Sequence, residues 1–399
     1  MRLNKTRFGA TIALGAALAL GMSACGGDGD EAGGGGGGGG EAPSSVTIGF
    51  MGDLTGENAG IVIPPRNGAQ LAIDEYNATN PKVKITLKPY DSQAKPEQAV
   101  PLAKQAIQQD KVIAMIGPAF SGESAQVQPV LEEGKVPSIS PSATNAALAK
   151  NGAKYWHRHI ANDDVQGAGA GGFIVNSLKA KKVFVIDDAS EYGKPLGQVI
   201  KKTVEAGGAQ TSTDSIDPQA SDYGSTVNKA KAYNPDAIFF AGYYSEGGKL
   251  IKQLREGGVQ ARFLSGDGSL GKELAQGAGG NTADGSILSC PCLIDPTGKA
   301  SPASKKFAEA YKAKFNTDPA IYSAEGYDAA TALVEAVKAG NTDAESINQF
   351  LSTIDKPGVA HQIKFAQNGE TTATDVFMYE VKGQTLPLLG NSKEAKVSA

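Results

Sequence analysis

The sequence predicts an α/β protein built as two doubly wound parallel-sheet lobes, and three observations carry that expectation. Short β-branched or apolar runs alternate with helical stretches along most of the chain, and repeated β-then-α units build parallel sheets covered by helices on both faces. There are too many such runs for one parallel sheet of ordinary width. The 399 residues, 40% hydrophobic and 20% charged, are enough for one or two sizeable cores, which argues against wholesale disorder and against a small disulfide-stapled scaffold.

Residues 1–24 have the layout of a secretory signal peptide: Arg2, Lys5 and Arg7, no acid, then an uncharged run from Phe8 to Met22. That run is shorter than a bilayer span. It ends Met22-Ser23-Ala24-Cys25, which resembles a bacterial lipobox and makes Cys25 the expected lipidation site and mature N-terminus. Residues 25–45 follow as a tether of Gly, Asp, Glu, Ala, Pro and Ser, with unbroken glycine from Gly33 to Gly40. Nothing there repays the entropy of ordering; about 20 such residues reach roughly 25 Å.

From Val46 the expected strands are Val46–Met51, Val83–Tyr90, Val112–Ile116, Val136–Ser140, His157–Ile160, Val183–Ile186, Ala237–Ala241 and Arg262–Leu264. Expected helices lie between and after them: Asn67–Thr79, Pro96–Gln109, Ser124–Glu133, Val165–Leu178, Lys194–Ala206, Ser221–Tyr233 and Ser245–Glu256. The last third reads as two long helices, Ser301–Phe315 and Tyr322–Ala339. A pair of strands, His361–Ala366 and Thr374–Lys382, ends it. The formal charge is −4, and loss of the three leader cations makes it about −7. An acidic balance of this kind disfavours a nucleic-acid partner.

Ligands of open parallel sheets bind at the carboxyl ends of the strands, so the residues just past each strand are the candidates. Gly117-Pro118-Ala119-Phe120-Ser121 and Pro141-Ser142-Ala143-Thr144-Asn145 are hydroxyl-rich turns that open helices, where free N–H groups and the helix dipole suit a carboxylate. An isolated serine in such a turn is ordinarily a helix cap; two such loops on successive strands balance the two readings. Tyr192, Tyr243 and Asp267 follow later strands. Asp267 stands between glycines that permit close approach, so an acid and aromatics from one half of the chain face hydroxyls and helix ends from the other. That set complements a zwitterion.

These residues carry a family resemblance. Ile48-Gly49-Phe50-Met51-Gly52-Asp53-Leu54-Thr55-Gly56, Tyr90-Asp91-Ser92-Gln93, Ile116-Gly117-Pro118, Ile139-Ser140-Pro141-Ser142-Ala143-Thr144, Asp187-Asp188-Ala189-Ser190-Glu191-Tyr192-Gly193, Ala241-Gly242-Tyr243 and Ser323-Ala324-Glu325-Gly326-Tyr327-Asp328 are collinear. From Val46 to about Lys382 the chain resembles the leucine/isoleucine/valine-binding class of periplasmic-type substrate-binding proteins of ABC importers. The resemblance implies the type I periplasmic binding fold, no catalytic residues, no metal and no cofactor. It implies an amino-acid ligand whose carboxylate meets Ser121 and the Ser142, Ala143 and Thr144 groups. The ammonium would meet Thr144 and an acid at Asp267, with Tyr192 and Tyr243 on the far lobe. The usual acid is Glu; the shorter Asp267 would draw the ligand deeper, bridge through water or signal another ligand class. The Glu57–Arg66 loop, expected to line the side-chain pocket, has no clear match in the family and leaves specificity open.

Competing motifs are weaker. Gly167-Ala168-Gly169-Ala170-Gly171-Gly172 satisfies G-x-G-x-x-G with Asp187 twenty residues on, but six residues separate it from the strand it should follow. No G-x-S-x-G surrounds any serine. Cys290-Pro291-Cys292 leaves a disulfide, free thiols or a metal open. The reading is therefore an exported, lipid-anchored, monomeric solute-binding protein that serves ABC permease and ATPase subunits, with a sensory module as the alternative. Lobe 1 would comprise residues 46–160 and 293–374, and lobe 2 residues 161–292 and 375–390. Crossovers would lie near Arg158–Asp164, Cys290–Ile294 and Ala373–Val376.

Overall fold

A computed structural model describes residues 43–396. The expected leader, Cys25 and nearly all of the tether lie outside the described residues. Among the described residues, no helix is long and apolar enough to cross a membrane.

The first lobe begins with β1 (Ser45–Gly52), α1 (Ala59–Asn77), β2 (Lys84–Asp91), α2 (Pro96–Gln108), β3 (Ala114–Ile116), α3 (Ser121–Gly134), β4 (Ser138–Ser140) and β5 (Trp156–Arg158). Its strands form a parallel sheet in the order β2-β1-β3-β4-β5. Both faces are buried, as a parallel sheet requires. Ile48, Phe50 and Ile116 pack with Ile61 and Ile73 of α1. Met51 and Met115 turn the other way, onto Ala99 and Ala103 of α2 and Val127 and Leu131 of α3.

The second lobe contains α4 (Asp163–Asn176), β6 (Lys182–Asp187), α5 (Gly193–Ala206), β7 (Gln210–Ser215), α6 (Gly224–Tyr233), β8 (Ala237–Ala241), α7 (Tyr244–Glu256), β9 (Arg262–Ser265), α8 (Lys272–Ala278) and β10 (Ile287–Cys290). Val183 and Val185 pack with Phe173, Leu196 and Ile200, while Phe184 and Ile186 face Leu250 and Leu254. The chain then returns to the first lobe through α9 (Pro302–Phe315), α10 (Ser323–Lys338) and α11 (Ala344–Leu351), with α10 lying along α1. A small hairpin, β11 (Asp355–Pro357) and β12 (Gln362–Lys364), follows, and β13 (Phe377–Glu380) and β14 (Leu388–Asn391) end the described chain.

The strands expected around His361–Ala366 and Thr374–Lys382 are both present but in different sheets: β12 pairs with β11, whereas β13 pairs antiparallel with β10. The second sheet is therefore mixed, ordered β14-β13-β10-β9-β8-β6-β7, with its parallel part β10-β9-β8-β6-β7 wound as the first sheet is. The chain leaves the first sheet after β5 to build the second, and α9, α10, α11 and the separate β11–β12 hairpin lie between β10 and β13 of that second sheet.

The Gly167–Gly172 stretch is helix interior. A Cβ at Gly167 would come within 2.5 Å of Val199 and one at Gly171 within 2.7 Å of Thr203, so these glycines let α4 press onto α5. Cys290 and Cys292 are joined by a disulfide and are buried, which resolves the three-way reading of that pair.

Candidate functional site

In a doubly wound sheet, successive crossovers leave in opposite directions on either side of the switch point, and the crevice there is where ligands bind. The strand orders put those points between β1 and β3 in one lobe and between β6 and β8 in the other. The loops that follow these strands, joined by those after β4 and β9, face one another across a small, nearly closed cavity. Ser121, Ser142, Tyr192, Tyr243 and Asp267 all line it, with Ile61, Phe120 and Tyr322; no lysine or arginine does.

On the first lobe, Ser121 is the opening residue of α3 and is buried. Its Oγ accepts the Asn145 N–H at 3.2 Å and so ties the two hydroxyl loops together. Ser142 Oγ donates to the Ala119 carbonyl at 2.8 Å, and Ala143 N–H donates to Ser140 Oγ at 3.0 Å. Thr144 Oγ1 is buried without a hydrogen-bond partner. None of the three candidate hydroxyls caps a helix; Asn145 Oδ1 does that for the following turn by accepting Ala147 N–H at 2.8 Å. Arg158, fully buried at the end of β5, supports this loop from below. Its Nη1 donates to the carbonyls of Ala143 (3.0 Å) and Asn145 (2.8 Å), while its other nitrogens form a fork with the Glu370 carboxylate.

On the second lobe Asp267 is 3% exposed and held from three sides. Its Oδ1 accepts from Tyr192 OH (2.7 Å) and Gln166 Nε2 (2.6 Å), and its Oδ2 accepts from Tyr322 OH. Gly268 N–H donates to Tyr192 OH at 3.1 Å. A Cβ there would lie 2.7 Å from the Tyr192 ring, so only glycine permits this approach. The Tyr243 ring lies tilted on Tyr192 at 5.1 Å between centroids and meets Phe120 of the first lobe edge-on at 5.2 Å. Burial raises the Asp267 carboxyl above its ordinary range, despite these donors.

Sequence reasoning misses three residues around Asp267: Tyr322 on the cavity wall, and Asp163 and Gln166 behind it. Asp163, in the first turn of α4, accepts Gln166 Nε2 at 3.1 Å on Oδ1, and its buried Oδ2 has no partner. Burial, then the neighbouring Asp267 carboxylate, pushes Asp163 up to about 8. Gln166, one turn along the same helix face, bridges Asp163 and Asp267. Tyr322 precedes α10 and arrives from the first lobe. The Asn162-Asp163-Asp164 cap opening a helix straight after a strand was the one sequence signal for the first two. The Glu57–Arg66 stretch is corrected: it is largely the first turns of α1, which continues through Pro64 and Pro65 and brings Ile61 to the cavity.

The lobes touch around the cavity. Asn145 Nδ2 donates to the Glu191 carbonyl at 2.6 Å, and Gly60 N–H donates to Tyr244 OH at 3.0 Å. The site thus offers hydroxyls and a helix start on one side, acids and aromatic rings on the other.

Comparison with known proteins agrees with this architecture. A family profile described as periplasmic binding protein matches residues 45–385. An amino acid binding protein of Pseudomonas aeruginosa is 31% identical over 343 residues, covering 85% of this chain and 91% of the relative. The Leu/Ile/Val-binding protein BraC3 of Rhizobium johnstonii is 31% identical over 345 residues, 85% and 92% of the two chains. Among solved structures, the isoleucine complex of the branched-chain amino acid substrate-binding protein LivJ from Streptococcus pneumoniae has a TM-score of 0.78 at 29% identity, covering 87% of this chain and 99% of LivJ. The leucine-binding protein LivK of Thermotoga maritima has a TM-score of 0.80 at 28% identity, covering 87% and 98%. A benzoate complex from R. palustris, at 18% identity and TM-score 0.77, shares the fold. By its sequence, its paired sheets and its relatives, the chain belongs to the periplasmic binding protein family, whose members are exported substrate-binding proteins rather than enzymes.

Proposed function

We propose that the protein captures an amino acid, branched-chain or similar, in the cleft between its lobes and delivers it to the permease and ATPase subunits of an ABC importer. The single observation that carries this reading is the division of the cavity wall. Ser121 and Ser142 on the first lobe offer hydroxyls and a helix start suited to a carboxylate, with Ala143 and Thr144 next in the same loop behind the wall. Asp267, Tyr192 and Tyr243 on the second suit an ammonium and an apolar stem. Without Lys or Arg on the wall, a plain anion lacks a countercharge and the acid lacks a cation; a zwitterion supplies both ends. Relatives named for leucine, isoleucine and valine support the ligand class, and their role in transport favours an importer over a sensory partner.

Replacing Ser121 and Thr144 together by Ala tests the carboxylate half. Isothermal titration with L-leucine and L-isoleucine should show affinity falling by at least about tenfold, the scale of one or two hydrogen bonds to a charged group. The melting temperature without amino acid should fall modestly too, because Ser121→Ala strands the buried Asn145 N–H, so affinity is the deciding readout. Unchanged affinity with a lowered melting temperature would return both residues to a purely structural role.

The anchor belongs to the same reading. Cys25, at the end of the lipobox-like run, would carry the lipid, and residues 26–45 would let the lobes move at the membrane surface. Cys25→Ser should shift the protein from the membrane fraction to the soluble fraction; membrane retention at the wild-type level would remove the lipid claim.

A further inference from the structure

Tyr322 has an unusual backbone for the residue it is. Its φ of 58° lies in the left-handed region, which a side chain with a β-carbon occupies at a cost. The packing around α10 imposes that conformation. Gly326 lies so close to α1 that a Cβ would stand 2.2 Å from the Pro65 carbonyl oxygen, and one at Gly68 would stand 2.0 Å from that of Ser323. Helices α1 and α10 therefore fix the start of α10, and the left-handed residue aims its phenol out of the first lobe. The ring is 1% exposed and its hydroxyl donates to Asp267 Oδ2 on the second lobe.

The bonding of Asp267 is asymmetric. Both donors on Oδ1, Tyr192 and Gln166, belong to the second lobe and move with the acid. The donor on Oδ2 comes from the other lobe. This cross-lobe bond consists only of protein atoms, so it can form whenever the lobes approach. Asn145 with Glu191 and Gly60 with Tyr244 can close in the same way.

We propose that Tyr322 is a built-in stand-in for the ligand's ammonium: it latches the lobes through Asp267 Oδ2 and yields that oxygen when an ammonium arrives. This rests on the reading of Asp267 as the ammonium acid. Tyr322 is then a positioning residue that sets how often the unliganded protein closes and how large an advantage a ligand needs. A neutral hydroxyl holds the carboxylate less strongly than a cation does, so the exchange favours ligand. Closure without ligand lowers apparent affinity by the fraction of molecules withdrawn from the open, binding-competent state.

Tyr322→Phe keeps the ring and removes the latch. In the full chain, X-ray scattering without ligand should show a larger radius of gyration than wild type. Titration with L-leucine, L-isoleucine, L-valine, L-alanine and L-threonine should show the tightest of them binding roughly 2- to 10-fold more tightly, the scale of one competing hydrogen bond. Weaker binding would make Tyr322 a ligand donor, and identical ligand-free scattering would show that its hydroxyl latches nothing; either overturns the proposal. If wild type binds none of the five, the amino-acid reading fails, while the ligand-free scattering still decides the latch. Should Tyr322→Phe not fold, Asp267→Asn weakens the same bond from the other lobe and is read by the same scattering, with expansion expected and no change overturning.

Discussion

Asp267→Ala should weaken amino-acid binding by about 2–5 kcal/mol, the scale for deleting one partner of a buried charge pair. At about 1.4 kcal/mol per tenfold, that is a loss of roughly 30-fold to several thousandfold in calorimetric affinity. The acid is buried, three side chains fix its orientation, and no basic side chain lines the cavity around it. Asp267→Asn separates charge from shape. Burial raises the Asp267 carboxyl in the folded protein, so ionising it opposes folding: that cost is absent below the unfolded-state pKa and grows as pH rises. The amide avoids the cost, so the variant should melt higher than wild type at pH 7 without ligand and yet bind amino acid poorly. Opposite signs in the two measurements identify a group retained for binding at the expense of stability. An Asn variant that binds as wild type does would remove the charge from the account.

The second large effect is expected at Arg158, which touches no part of the cavity wall. Arg158→Met should destabilise the protein by about 3–5 kcal/mol, the range for breaking a buried ion pair by deleting one partner. The change leaves the Glu370 carboxylate without its counterion and the carbonyls of Ala143 and Asn145 without their donor. Those carbonyls flank Thr144, so amino-acid affinity should fall as well. Denaturant melts check the first effect and calorimetry the second. Adding Glu370→Leu should recover part of the stability, since it removes the stranded charge, while the loop carbonyls stay unpaired and affinity stays low. Equal stability of Arg158→Met and wild type would show that the pair contributes nothing net.

The legible part of the fold was the part whose strands are short, apolar and followed directly by helices. Ala237–Ala241 was read to the residue because both faces of β8 are buried. Strand β7, Gln-Thr-Ser-Thr-Asp-Ser, was invisible because it is a half-exposed edge strand with no apolar run. β13 was read as a strand but its partner was not, since antiparallel addition to β10 after a gap of 86 residues leaves no local mark. The start of α1 reads as a loop because Pro64 and Pro65 are poor helix-interior residues by propensity; packing against α10 overrides that. The same distinction holds at the site. Ser121, Ser142, Tyr192, Tyr243 and Asp267 follow strands directly, so a rule about strand ends finds them. Asp163, Gln166 and Tyr322 reach the surroundings of Asp267 from helix starts after lobe crossings, and only the packed structure brings them there.

The account turns on a cavity that requires both ends of a zwitterion. The most direct test titrates the protein calorimetrically with L-leucine, L-isoleucine, L-valine, L-alanine and L-threonine. It then titrates two truncated leucine analogues, 4-methylpentanoate without the ammonium and isopentylamine without the carboxylate. At least one amino acid should bind, and both analogues should bind at least about 100-fold more weakly, because each strands a buried group that its missing end would have paired. If 4-methylpentanoate binds as tightly as the best amino acid, Asp267 holds no ammonium and the cleft is built for carboxylates alone.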